Sequence, residues 1–273
     1  MSAVPDVRTL DRLRPLARAE PDAPGPGAMP SRLGYVPAKR LAEFLFALIL
    51  LVLTAPLIGL AMLLVKLTSR GPVLYKQTRL GRNGKPFTIY KIRSMSHEAE
   101  SLTGACWSAA GDMRVTAVGR WLRRTHLDEL PQLWNVLRGD MSLVGPRPER
   151  PEFVPQLEQA IPHYRDRLLV RPGVTGLAQV QLPPDTDLNS VRCKLAYDLY
   201  YVRNGSWWLE LRIHAATFLH MIGLPFRWIR KAFGFPHRDL VESAYRQLVL
   251  TSGRGKLQVN GHSGKAASKL PKS

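Results

Sequence analysis

AKRLAEFLFALILLVLTAPLIGLAMLLVKLTSR, residues 38–70, decides which folds are open to this chain. From Leu41 to Val65 its only charge is Glu43. As one straight helix that stretch would reach about 38 Å, more than the roughly 30 Å hydrocarbon core of a bilayer. A buried core helix is a poor account of such length and apolarity. Pro56 lies past the middle. It has no N–H to donate and its ring clashes with the carbonyl of Val52, so a kink or a break is predicted there. Each half would then reach only about 15–23 Å, too short to cross alone. Two outcomes stay open: a kinked spanning helix, or a re-entrant hairpin with both ends on one face. Spanning is the commoner arrangement. The flanks favour the hairpin, because Lys39-Arg40 precede the segment and Lys66, Arg70 and Lys76 follow it. Positive charge at both ends is what the positive-inside rule gives when both ends are cytoplasmic.

Towards the N-terminus, residues 1–37 hold seven prolines and no apolar periodicity. They read as a disordered cytosolic lead without the apolar core of a signal peptide. On the other side, residues 71–95 change period. Val73-Leu74-Tyr75 and Phe87–Ile92 read as strands joined through Asn83-Gly84, a hairpin signal. Arg79, Lys91 and Arg93 lie among six basic residues there. The hairpin is either a basic face resting on anionic lipid or a phosphate-binding element.

Residues 96–111 read as a surface connection, and 112–140 as helical pieces. Residues 151–168 read as a polar helix broken near Pro162, and 171–181 as a turn with a short strand. Residues 190–203 form a helix with Val191, Leu195 and Leu199 on one stripe. From Trp207 to Phe235 the chain is aromatic, apolar and basic, suited to a core helix or to an interfacial membrane helix, with the latter preferred. Residues 252–273 hold five Lys/Arg and no acid, as a flexible basic tail would. The predicted organisation is therefore a lead (1–37), a membrane helix (38–70), a catalytic domain (71–206), an aromatic extension (207–251) and a tail (252–273). Its class is α+β and mostly helical.

With 39 Lys/Arg against 21 Asp/Glu, the net charge of +18 implies polyanionic partners. These are anionic lipid, phosphorylated substrates or nucleic acid. No nucleic-acid motif is recognisable, and the basic residues fall near loops instead of on a recognition helix. Cys106 and Cys193 are the only cysteines and fit neither a metal motif nor a disulfide framework.

Against this basic background, THLDELPQLWNVLRGDMSLVGPRPE, residues 125–149, places Asp128 beside Glu129. Pro131 is tolerated in a first helical turn and costly later, so a helix through Leu133, Trp134, Val136 and Leu137 should start near Leu130. The acidic pair then sits at its N-terminus, where unpaired N–H groups favour negative charge and keep Asp128 ionised. The plainer reading is a helix cap, since Thr125-x-x-Asp128 fits a capping box. Arg123 and Arg124 upstream and Pro146-Arg147-Pro148 downstream shift the balance towards a phosphate site. Two prolines stiffen the backbone that presents the Arg147 guanidinium.

HLDELPQLWNVLRGDMSLVGPRPE, the KQTRLGRNGKPFTIYKIRSM hairpin and the Pro-interrupted membrane segment together resemble the bacterial sugar transferases. These are the monotopic polyprenyl-phosphate phosphoglycosyl transferases that initiate exopolysaccharide and O-antigen synthesis. The resemblance covers roughly residues 38–206 and closes on KLAYDLYYVRNGS. It implies that Asp128 attacks the sugar-linked phosphate of a UDP-sugar, that UMP leaves, and that undecaprenyl phosphate then takes the phosphosugar. It implies Glu129 as a Mg²⁺ holder, Arg123 as a phosphate contact, and Pro146-Arg147-Pro148 as the nucleotide contact. It also implies a re-entrant helix at Pro56 in the bacterial inner membrane, with the catalytic domain on the cytoplasmic side. Three positions depart from the pattern: Ala55 in place of Ser before Pro56, His126 in place of Ser, and Glu210 in place of Asp. Thr54 is the residue expected to compensate for Ala55. The competing reading is a membrane-anchored basic protein that binds nucleic acid or anionic lipid without catalysis. The sugar and the oligomeric state, a homo-oligomer included, are open.

Overall fold

The structure, a computed structural model, describes residues 35–97, 99, 111–183, 185 and 187–263. Most of the expected lead, most of the 96–111 connection and the end of the tail lie outside these residues. The first element is α1 (Tyr35–Thr68). The expected break at Pro56 is not present: Pro56 lies inside a continuous helix. Its missing N–H forfeits one hydrogen bond, and the turns on either side carry the helix past it. Thr54 does not replace that bond. Its hydroxyl donates to Leu50 O at 2.7 Å, one turn back. Only 11% of the most apolar stretch of α1 is buried by the rest of the protein. Leu41, Leu45, Ile49, Leu53, Leu57, Leu60 and Leu67 are exposed.

One stripe of α1 is buried, and the next elements of the chain pack onto it. Ala47 packs with Ile89, Leu133, Val136, Met141 and Leu143. Further along, Ala61 and Val65 pack with Ile92 and Leu122. Small residues on this stripe let the neighbouring elements approach closely. Those elements are β1 (Leu74–Leu80) and β2 (Pro86–Ile92), α2 (Ala117–Arg124) and α3 (Gln132–Arg138). The two strands pair antiparallel, Leu74 opposite Ile92 and Leu80 opposite Pro86. Asn83 and Gly84 turn the chain at φ 57° and 72°, as the hairpin signal required.

Beyond α3 comes β3 (Ser142–Val144), a strand with no sequence expectation behind it. It pairs parallel with β4 (Gly173–Thr175). Between them lie α4 (Val154–Ala160) and a 3₁₀ turn at Tyr164–Leu169, with the interruption near Pro162. Then come α5 (Leu188–Asn204), α6 (Trp207–Met221), α7 (Phe226–Phe233) and α8 (Arg238–Ser263). The stripe Val191, Leu195 and Leu199 is buried with Tyr197, Ile213, Ile229 and Val241 in the largest core cluster. The aromatic stretch divides: Phe235 is buried, whereas Trp207, Trp208, Phe218 and Trp228 are exposed. Helix α8 runs on to Ser263, past the boundary at 251 where a flexible tail was expected.

Candidate active site

The acidic pair occupies a 3₁₀ turn, Leu127–Glu129, and not the first turn of a longer helix. The capping-box alternative fails. No side chain caps this turn, and the Thr125 hydroxyl instead donates to Trp121 O at 2.9 Å, closing the end of α2. His126 starts the turn in the left-handed region, φ 55°. Glu129 N donates to His126 O at 3.1 Å and Leu130 N to Leu127 O at 3.3 Å, so the turn holds itself.

Glu129 is bracketed by two cations. Lys91 Nζ and Arg147 Nη2 each lie 2.7 Å from its Oε1, and Arg147 Nη1 lies 3.4 Å from Oε2. Burial alone would raise its carboxyl, but Arg147 and Lys91 together hold it well below the usual carboxylate range. Asp128 behaves oppositely. It is 6% exposed. Burial, then the neighbouring Glu129 charge, push its carboxyl up, while Lys91, Arg123 and Arg147 pull it back. The position at a turn therefore does not act alone on Asp128: desolvation and the Glu129 charge push its carboxyl up against the pull of its basic neighbours. Burial also lowers the Lys91 ammonium, with Glu129 opposing.

Local structure explains the placement of each partner. Lys91 stands on β2, which is paired to β1 on one side and tied to α3 by Asn135. The Asn135 side chain takes Tyr90 N at 3.2 Å and gives to Thr88 O at 2.7 Å. Arg123 Nε donates to Ser94 Oγ at 2.8 Å. That contact depends on Gly119 in α2, where a Cβ would come within 1.9 Å of Ser94 O. Arg147 leaves a loop that begins at Gly145. Gly145 and Gly173 touch so closely that a Cβ on Gly173 would lie 2.1 Å from Gly145 N.

The predicted site residues therefore divide. Asp128, Glu129, Lys91, Arg147 and, through charge, Arg123 form one cluster, with Pro146 and Pro148 flanking Arg147. Arg79 does not join it: its Nη1 donates to Pro148 O at 3.1 Å and faces Glu149. Arg93 turns to the end of α1, where Nη2 donates to Ser69 O at 2.8 Å and Ser69 Oγ at 2.7 Å. Alternation alone would place Arg93 on the same face as Lys91, two residues earlier. β2 ends at Ile92, and just past that end the Arg93 side chain reaches Ser69 instead. Asn135 and Ser94 are supporting residues that the sequence did not single out. Asn135 stands inside the motif LWNVLRGD, but polarity in a helix does not by itself reveal a strand partner. Close to the turn, the rings of His126 and His220 lie 6.0 Å apart.

Two adjacent carboxylates, set among a lysine and two arginines, suit work on a phosphate that must be neutralised while it is attacked. Among known proteins, the family model described as bacterial sugar transferase matches residues 34–223. The UDP-N-acetylgalactosamine-undecaprenyl-phosphate N-acetylgalactosaminephosphotransferase of Aeromonas hydrophila is 46% identical over 179 residues, 66% of this chain and 42% of that protein. The UDP-glucose:undecaprenyl-phosphate glucose-1-phosphate transferase of Caulobacter vibrioides is 45% identical over 194 residues, 70% of this chain and 72% of its own length. The exopolysaccharide production protein PSS of Rhizobium leguminosarum is 43% identical over 184 residues, 66% of this chain and 92% of its own. The chain thus spans less than half of the Aeromonas relative and most of the other two. It belongs to the bacterial sugar transferase family, a family of enzymes.

Proposed function

We propose that the chain is a phosphoglycosyl transferase that moves a sugar 1-phosphate from a UDP-sugar to undecaprenyl phosphate, with release of UMP. The observation that carries this reading is the buried Asp128 beside a Glu129 bracketed by Lys91 and Arg147. The names of the relatives agree with it. In the first half-reaction a carboxylate oxygen of Asp128 attacks the phosphorus next to the sugar. A bond from that phosphorus to the bridging oxygen breaks, and UMP leaves with the electron pair. In the second, a phosphate oxygen of the polyprenyl acceptor attacks the same phosphorus and Asp128 is released. Covalent catalysis divides one difficult transfer into two. Arg147 and Arg123 hold the diphosphate oxygens, and burial strips water from Asp128, sharpening its reactivity. The product is the first lipid-linked intermediate of a surface glycan.

The donor set fits Mg²⁺, which takes one or two protein carboxylates and completes its shell with substrate phosphates and water. Glu129 would hold it through lone pairs that Lys91 and Arg147 leave available. Bound there, the ion would neutralise charge developing on the diphosphate.

The membrane reading is a body seated on the cytoplasmic leaflet of the inner membrane, with both ends of α1 on one side. Lys39 Nζ donates to Tyr201 OH at 3.0 Å and to Glu210 Oε1 at 2.5 Å, while Ser69 is held by Arg93. Both ends of roughly 45 Å of helix are thus tied to the same body, which argues against anchors on opposite sides. Exposed Trp207, Trp208, Phe218 and Trp228 suit headgroup depth beside α1. The functional test is Mg²⁺-dependent UMP release in nanodiscs across a panel of UDP-sugars. Asp128→Asn is expected to abolish it while the protein still fractionates with membrane; full activity in that variant sinks the nucleophile assignment. Cysteine labelling at positions 36 and 70 should find both on the cytoplasmic side, and opposite sides would restore the spanning helix.

A further inference from the structure

Every backbone carbonyl from Pro146 to Glu149 is held. Gly173 N donates to Pro146 O at 2.9 Å and Leu80 N to Glu149 O at 3.0 Å. The two carbonyls between them are taken by side chains. Arg167 Nη2 donates to Arg147 O at 2.9 Å, and Arg79 Nη1 to Pro148 O at 3.1 Å. Arg167 is 4% exposed and Asp198, its counter-ion, 2%. Their charged atoms lie 2.7 Å apart. Arg167 also donates from Nη1 to Tyr164 OH at 2.8 Å and has its guanidinium carbon 5.3 Å from the centre of that ring. Burying an ion pair costs several kcal/mol in desolvation. A neutral donor would hold a carbonyl more cheaply, so the strength and rigidity of these clamps call for a role.

Chain geometry supplies one. Each residue has two soft dihedrals, φ and ψ. Proline fixes φ at 146 and 148 but leaves ψ free. The direction of a carbonyl reports ψ, so holding the carbonyl fixes what proline cannot. With both controls in place, the Cα–Cβ direction of Arg147 is set before any ligand arrives. We propose that Arg79 and Arg167, the latter backed by Asp198, are positioning residues that act through the carbonyls of Pro148 and Arg147 to aim the Arg147 guanidinium at the diphosphate of the UDP-sugar. This rests on the reading of Arg147 as a diphosphate contact. It reassigns Arg79 from phosphate binding to loop clamping.

The test is a pair of double-mutant cycles on the full chain in nanodiscs, with undecaprenyl phosphate and UDP-glucose or UDP-N-acetylgalactosamine as probes. Arg167→Lys and Arg79→Met are each measured alone and combined with Arg147→Ala, with a melting curve for every protein. Alone, each is expected to lower kcat/KM for the UDP-sugar about tenfold or more, and on the Arg147→Ala background by less than about twofold. A purely structural contribution would lower kcat/KM equally on both backgrounds, and that result overturns the proposal. If Arg147→Ala itself leaves kcat/KM unchanged, the diphosphate role of Arg147 falls, and the clamps lose their purpose with it. If Arg167→Lys shows no melting transition, the Arg79→Met cycle decides alone, because Arg79 lies nearer the surface.

Discussion

The turn at Leu127–Glu129 and the loop at Pro146–Glu149 bring opposite charges to one place by different means. The turn is local: its hydrogen bonds run from Glu129 to His126 and from Leu130 to Leu127. The loop is held by partners from far along the chain, Arg79 on β1, Arg167 in the 3₁₀ turn and Gly173 on β4. The acid half of the site therefore forms wherever its sequence is placed in a compatible fold, while the basic half exists only once the body has assembled. Damage to each half should look different, and four experiments, in order of expected effect, press on that contrast.

Glu129→Gln leaves the turn intact and removes the charge that joins the halves. UMP release should fall by roughly 10²–10³-fold, since Lys91 and Arg147 lose the carboxylate that orients them. A loss below about tenfold would show that the halves align without it. Arg147→Lys keeps the charge and loses the planar fork that reaches both Glu129 oxygens. We expect kcat/KM to drop about 10- to 100-fold, chiefly through KM for the UDP-sugar. An unchanged KM would detach the loop from substrate binding. Gly119→Ala acts on the support of Arg123. Its new Cβ meets Ser94 O at 1.9 Å, so α2 must shift. Overpacking of this kind costs about 1–3 kcal/mol, visible as a Tm lowered by several degrees. An unaltered Tm would mean that α2 moves freely.

The smallest effect lies in the clamp. Burial is the largest cause pushing the Tyr164 phenol up, from 10.0 to about 12. The folded state thus holds this proton more tightly than the unfolded chain. The resulting stability is complete below about pH 10 and is lost as pH rises through about 12. Urea unfolding at about pH 9 and about pH 11 should show a decline that Tyr164→Phe reduces. An equal decline in the variant would assign the alkaline loss to other groups.

Much of this molecule is legible in its residues. The apolar run of α1, the Asn83-Gly84 hairpin, the interruption near Pro162 and the stripe on α5 all follow from local periodicity or turn chemistry. The identity of the acidic pair was equally plain, because two carboxylates between arginines stand out in a chain of net charge +18. Other features were hidden for physical reasons. β3 is three residues long, too short for alternation to register, and is a strand only because β4 runs beside it. Arg93 and Lys91 look alike in sequence and stand two residues apart, yet β2 ends between them, and Arg93 reaches Ser69 at the end of α1 while Lys91 reaches Glu129. Thr125 fits a cap by spacing, but the preceding helix claims its hydroxyl.

Residue order is enough for features whose signal is local: a long apolar run, a tight hairpin, and the pairing of Asp128 with Glu129. It is not enough for the unbroken path of α1 past Pro56 or the 3₁₀ turn that carries the pair. Which charges meet is settled by packing, because Coulomb energies and desolvation depend on distances and burial that residue order does not contain. That is why Glu129 is held strongly acidic while its neighbour Asp128 is pushed the other way. It is also why the carbonyls of Arg147 and Pro148 are gripped by arginines from the Tyr164–Leu169 turn and from β1.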